Sequence, residues 1–269
     1  QAFFVIGEMA MALVLLVGAG LMLRTLVRLW GVDPGFNPHN VIHFALTPPA
    51  SLALRSPDEV RAVLRQIEFS IHSVPGVENA SLQWGAHPME GDSEAGVWPE
   101  GQELPARQAD FASTLEYIVE PEYLKAMRIP LLRGRFLTDA DNEHSERVVL
   151  IDSSFAKKYF PGQDPIGKHV KVFERESDPV QRTWVSMVVV GVVGHVNQWG
   201  LAEDAARPLQ AQIYLPFMQG SSVSMKDFAE GADVFVRFGS SLHPEAIFQT
   251  IQKELMTTHS AVSYTHLTL

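Results

Sequence analysis

The stretch at residues 146–172, ERVVLIDSSFAKKYFPGQDPIGKHVKV, admits two incompatible readings, and the choice between them decides the fold. Its second half, GQDPIGKH, matches in part the phosphate-binding loop G-x-x-x-x-G-K-[ST]. Gly162, Gly167 and Lys168 fit, and His169 stands where Ser or Thr belongs. A working loop of that kind follows a strand and opens a helix, whose first N–H groups hold the phosphates. Here the order is reversed. Residues 147–151 read as a strand, and 153–160 read as a helix with Asp152 as its cap. The loop then runs into a strand-like segment. Pro161 and Pro165 each remove a backbone donor, and Pro165 lies inside the would-be cradle. Imidazole at His169 is a poor substitute for a hydroxyl on magnesium. The stretch therefore reads as a Pro/Gly-punctuated connector from helix to strand, and nucleotide binding is not expected in it.

Outward from this connector the pattern is mixed α/β. Residues 170–173 and 185–193 read as strands. The second, VSMVVVGVV, is apolar enough to predict burial on both faces. Residues 212–216 and 234–238 read as short strands. Residues 243–256 read as a closing helix with Ile247, Ile251 and Leu255 on one side. Upstream, 41–46 and 78–84 read as strands on either side of a helix. That helix opens at Ser56-Pro57-Asp58-Glu59, a capping box with Pro in the first turn, and buries Val60, Leu64, Ile67 and Ile71. Residues 85–106 are rich in Gly, Pro and acids and read as loop. Residues 110–119 read as a strand and 122–127 as a short helix.

The N-terminus differs in kind. Residues 2–23, AFFVIGEMAMALVLLVGAGLML, carry a single charge, Glu8. That run is long enough to cross a hydrocarbon core of roughly 30 Å at about 1.5 Å per residue. A signal peptide would carry its basic residues first, whereas Arg24 and Arg28 follow the run. Gly18-Ala19-Gly20 would let another helix approach closely, and Glu8 should face protein or the membrane boundary. The segment 29–41, LWGVDPGFNPHNV, reads as a rigid exit turn, with Trp30 suited to the interface. Starting at Gln1, inside an apolar run, suggests a fragment. The end, VSYTHLTL, does not continue the preceding helix and resembles translated adapter sequence, so 258–269 is treated as an uninterpretable tail.

Composition excludes several functions. The net charge of −10 argues against a nucleic-acid binder. The absence of cysteine removes disulfides, thiolate metal sites and thiol nucleophiles. GVVGHVNQWG (191–200) lacks G-x-G-x-x-G spacing, and Asn197, Gln198 and Gly200 read as turn chemistry. DADNEHSE (139–146) fails as a calcium loop, because His144 and Leu150 occupy the positions that need Gly and Glu. His39, His43, His72, His87, His144, His169 and His195 show no zinc-motif spacing. There is no G-x-S-x-G nucleophile elbow. Glu120, Glu122, Asp139 and Asp141 could pair in space, as acids on any α/β surface could. No catalytic, cofactor-binding or metal-binding residue is assigned.

One resemblance is specific. VEPEYLKAMRIPLLRGRFLTDAD (119–141), then the connector stretch, then VVVGVVGHV (188–196) and IYLPF (213–217), occur in the order and spacing of MacB-type ABC transporter permeases of the FtsX-like superfamily. Residues 13–38 resemble the membrane helix before the second outer domain in duplicated permeases of the acidobacterial type. Leu124 departs from the Phe usual after this Tyr.

The resemblance implies an α+β fold: one N-terminal transmembrane helix (1–30) followed by a MacB-like extracytoplasmic core domain (31–257). That domain would have a porter-like β-α-β subdomain, about 41–84, 110–160 and 234–256, and a smaller β-rich subdomain, about 161–217. The implied protein is no enzyme. It is a permease subunit in the bacterial inner membrane, a homodimer whose ATP hydrolysis lies on a separate cytoplasmic ABC ATPase. Motion from that ATPase would reach the outer domain for export or envelope substrate handling, with a periplasmic adaptor as a possible further partner. The alternative is an FtsX-like anchored module that activates envelope enzymes without transport. Arg24 and Arg28 would by the positive-inside rule put the domain side in the cytoplasm. The resemblance puts it outside, and that topology is adopted.

Overall fold

The computed structural model describes residues 2–31, 33–88, 93–101, 112–175, 182–197, 210–259 and 263–268. Helix α1 (Ala2–Trp30) contains Phe3–Arg28, with a mean hydropathy of 2.2. By length and composition it is long enough to cross a membrane, and its apolar window packs against no other element among the described residues. The side chain of Trp30 lies outside the described residues.

Eleven strands among the described residues form one sheet. They are β1 (Val41–Thr47), β2 (Val77–Gly85), β3 (Glu94–Pro99), β4 (Ala112–Val119), β5 (Leu131–Gly134), β6 (Val148–Asp152), β7 (His169–Arg175), β8 (Arg182–Val193), β9 (Gln212–Pro216), β10 (Ala232–Phe238) and β11 (Ser263–Thr268). The helices after α1 are α2 (Pro57–His72), α3 (Tyr123–Ala126), α4 (Ser153–Tyr159), α5 (Ser222–Glu230) and α6 (Pro244–Thr258). The first arm of the sheet runs β11-β1-β10-β2, all antiparallel. β10 therefore lies between β1 and β2, and β1-α2-β2 is a split β-α-β unit. Beyond it, β4, β3, β7, β8, β6 and β9 pair in turn, and β9 returns to β4 in parallel, so six strands close on themselves. β4 joins arm to ring by also pairing with β2. The pairing is continuous across residue 160: β4 and β6 lie in the same ring as β7, β8 and β9. The tail 263–268 lies as an edge strand against β1.

The helix α2 forms where the capping box places it. Glu59 N–H donates to Ser56 Oγ at 3.4 Å, and Ser56 N–H donates back to Glu59 Oε2 at 3.0 Å. Val60, Leu64, Ile67 and Ile71 are buried along one face, each stabilising by about 1.5–3 kcal/mol. They meet Ile247, Ile251 and Leu255 of α6 and the inward residues Ile42, Phe44, Leu46, Val234, Val236 and Phe238. The opposite face of the arm carries a second core, with Tyr123, Leu124 and Met127 packed near Phe235.

Three expectations are revised. β8 is buried on both faces only at its end: Gly191, Val192 and Val193 are all buried, whereas upstream Met187 and Val189 are buried while Val188 and Val190 are partly exposed. The loop expected at 85–106 contains β3, whose Ala95, Val97 and Pro99 alternate inward. α5 went unread because only Met225, Phe228 and Ala229 of its polar sequence are buried.

Candidate functional site

The residues that matter most for a membrane-anchored domain are those where the chain leaves the helix. Segment 33–40 leads into β1, and it is pinned on three sides. Gly35 has φ +82°, and a Cβ there would lie 1.9 Å from the His195 carbonyl oxygen, so no other residue fits without displacing that backbone. Asn197 donates its backbone N–H to Pro34 O at 2.9 Å and its side-chain amide to Asp33 O at 3.1 Å. Asn37 N–H donates to Met127 O at 2.9 Å, just after α3. The rigid exit turn read from the Pro and Gly residues is thus a docked one.

Arg237 closes the third side. It lies on β10, 2 % exposed, in the run VFVRF. Its Nε donates to Ala126 O at 2.5 Å, and its two terminal nitrogens donate to His39 O at 2.7 Å and Asn37 O at 2.8 Å. One planar guanidinium thereby ties the exit segment, α3 and β10 together, a geometry that lysine cannot reproduce. Burial makes this guanidinium less basic than usual, and the nearby charge of Arg128 adds to that.

The turn that holds Gly35 is itself braced. Asp152 is fully buried. Its Oδ1 caps α4 by accepting Phe155 N–H at 2.8 Å and also accepts Gln212 N–H at 3.0 Å, while its Oδ2 meets His195 Nδ1 at 2.6 Å. Gln212 then bonds the backbone of Val196 twice, its Nε2 donating to Val196 O at 2.6 Å and its Oε1 accepting Val196 N–H at 3.2 Å. The capping role read for Asp152 is present, and the same carboxylate also orients the turn at the end of β8.

In GQDPIGKH, helix α4 precedes and strand β7 follows. The amides of Gln163, Gly167 and Lys168 donate to the carbonyls of Phe160, Val189 and Pro165, so the would-be cradle is spent on internal hydrogen bonds. Lys168 and His169 line an open hollow of about 350 Å³ with Glu100. Glu120, Glu122 and Asp139 do come together, with Arg65 and Glu68, around a hollow of about 200 Å³. Asp141 does not join them: Arg135 grips it in a two-pronged pair at 2.7 and 2.8 Å. Both carboxylate oxygens of Glu120 are buried without a hydrogen-bond partner. Burial pushes its pKa up to about 7, and burial with the Glu120 charge raises Glu68 to about 9. His72 and His144 are exposed, and His43 and His87 meet at Asp233. Gln198 and Gly200 lie outside the described residues. Sequence reasoning missed Arg237. The available signal was a charge sharing the alternating face of Phe235.

Comparison with known proteins agrees with this architecture. A family model for the MacB-like periplasmic core domain matches residues 4–254. The periplasmic region of MacB from Actinobacillus actinomycetemcomitans is 15% identical with a TM-score of 0.50, covering 86% of this chain and 90% of that one. The extracellular domain of the noncanonic ABC-type transporter YknZ from Gram-positive bacteria is 14% identical with a TM-score of 0.51, covering 84% and 100%. At such identities the two structures bear on the fold alone. No curated protein matches the chain.

Proposed function

The chain belongs to the family of MacB-like periplasmic core domains, and on that premise we propose that its outer domain transmits ATP-driven motion from a partner ATPase. The helix at Phe3–Arg28 anchors the domain in the bacterial inner membrane, with the domain on the extracytoplasmic side. ATP is hydrolysed on a separate cytoplasmic subunit. Two permease copies act together, moving a substrate for export or envelope handling, with a periplasmic adaptor as a further partner.

The observation that carries this reading is the pinned exit segment. A helix that moves in the membrane can move an outer domain only if the link between them does not absorb the displacement. Segment 33–40 is fixed by Gly35 against His195, by Asn197 and by the three-way clamp of Arg237. Net contributions of about 0.5–1.5 kcal/mol per hydrogen bond, larger for the charged donor, sum to several kcal/mol holding segment 33–40 in one conformation. The test is to co-purify the permease, as encoded in its genome, with candidate ABC ATPases in lipid nanodiscs. A stable, ATP-hydrolysing complex is expected, in which Arg237→Met keeps hydrolysis and loses export. No association with any candidate ATPase, or full export by the variant, refutes the reading.

A further inference from the structure

Three metal-ligating side chains, remote in sequence, lie together on the sheet face opposite α2 and α6. Strands β1, β10 and β2 are neighbours, and their register places Ala45 opposite Asp233 and Asp233 opposite Gln83. His43, two residues from Ala45, therefore shares a face with Asp233 on the diagonal. His87 lies just past the end of β2. His43 Nε2 is 2.7 Å from Asp233 Oδ1, and His87 Nε2 is 2.5 Å from Oδ2. One ligand atom from each residue lies within 4.8 Å of the others. All three side chains are partly buried, with 21, 28 and 17 % exposure for His43, His87 and Asp233.

We infer that His43, His87 and Asp233 form a binding site for one divalent transition-metal ion, with zinc the best fit. Two imidazole nitrogens and a carboxylate oxygen are a donor set for zinc and its neighbours, whereas calcium and magnesium require mostly oxygen. At metal–ligand distances of about 2.0–2.2 Å, tetrahedral ligand atoms sit roughly 3.3–3.5 Å apart. The hydrogen-bonded pairs here need to open by less than about 1 Å to admit the ion.

The ligands are held firmly. The His43 ring stacks on Phe235 at 4.6 Å, and Tyr123 packs edge-on against Phe235 at 5.3 Å. The Tyr123 hydroxyl is buried with no hydrogen-bond partner, an unspent donor in this packing group. Three protein ligands leave a fourth position open to water or to a ligand from elsewhere. The site has a mechanical consequence as well. Asp233, Phe235 and Arg237 occupy alternate positions of β10, so the site and the clamp share one face. A bound ion staples β1, the strand the exit segment enters, to β10 and to the end of β2. This inference does not depend on the transport reading.

The test uses the tag-free full chain in detergent, stripped with EDTA, then titrated calorimetrically with Zn²⁺ and spectroscopically with Co²⁺. One ion per chain is expected, with the intense visible bands of tetrahedral cobalt and a rise in melting temperature on zinc addition. His87→Ala and Asp233→Asn should each weaken binding at least tenfold. His87→Gln lies past the strand end and preserves bulk, so its circular dichroism should match the parent while binding is lost. No binding of either ion, or binding unchanged in these variants, overturns the inference.

Discussion

Replacing Arg237 with Met tests the junction at its most loaded residue. The guanidinium is 2 % exposed and donates to three backbone carbonyls, those of Ala126, His39 and Asn37. Methionine fills similar volume and removes all three donors. Hydrogen bonds to a charged group contribute about 1.5–3 kcal/mol each, so the gross loss is large. The variant also escapes the cost of burying a guanidinium, which offsets several kcal/mol. Two of the three carbonyls lie in segment 33–40, which can peel toward water and resatisfy them. The net effect is a loss of about 3 kcal/mol, concentrated in the docking of the segment and not spread through the fold. At about 1.4 kcal/mol per tenfold, the Asn37 amide, which bonds Met127 O, should exchange with solvent roughly 100-fold faster. Amides of α2 should keep their protection. Arg237→Lys should recover only part, because one ammonium cannot meet three divergent carbonyls. Unchanged Asn37 exchange in Arg237→Met, with stability within about 0.5 kcal/mol, would refute the clamp.

Three further outcomes follow from the structure. Glu120 titrates near pH 7 in the folded protein against 4.5 for an ordinary glutamate, so folding retains a proton there that the unfolded chain has lost. Stability should fall as pH rises from about 4.5 through 7 and, because Glu68 is raised to about 9, on toward 9; Glu120→Gln should stabilise by about 1–3 kcal/mol at pH 8 and by nothing at pH 4 in denaturant melts. Ser56→Ala breaks the capping box of α2 and should cost about 1 kcal/mol in urea unfolding, with Ser56→Asp close to neutral. Gly35→Ala drives a methyl into the His195 carbonyl at positive φ and should loosen segment 33–40, seen as faster exchange of the Asn197 amide that bonds Pro34 O.

Local chemistry made some of this legible and long-range geometry hid the rest. Ser56 and Glu59 mark the start of α2 because a capping box is complete within four residues. The connector at 161–168 could be recognised as no phosphate cradle because the order of strand and helix is itself written in the sequence. β3 was masked by Gly96 and Pro99, whose turn preference outweighed the alternation of Ala95 and Val97. Closure of the six-strand ring depends on the parallel pairing of β4 with β9, strands about a hundred residues apart, which no local pattern encodes. The same holds for His43, His87 and Asp233, since no motif spacing joins residues brought together only by the register of β1, β10 and β2. Arg237 offered a signal that spacing searches ignore, a charge in an otherwise apolar run, on the face of β10 it shares with Phe235.

The central claim is that the membrane helix and the outer domain move as one body. The chain has no cysteine, so two introduced thiols can be spin-labelled uniquely. Val27→Cys lies toward the domain end of α1 and Leu132→Cys on β5, both at exposed side chains. Pulsed electron–electron resonance in nanodiscs should give one narrow distance, unchanged when the partner ATPase binds ATP and broadened in Arg237→Met. A distribution already broad in the unmodified junction, or one that shifts with ATP while the clamp is intact, would contradict the account.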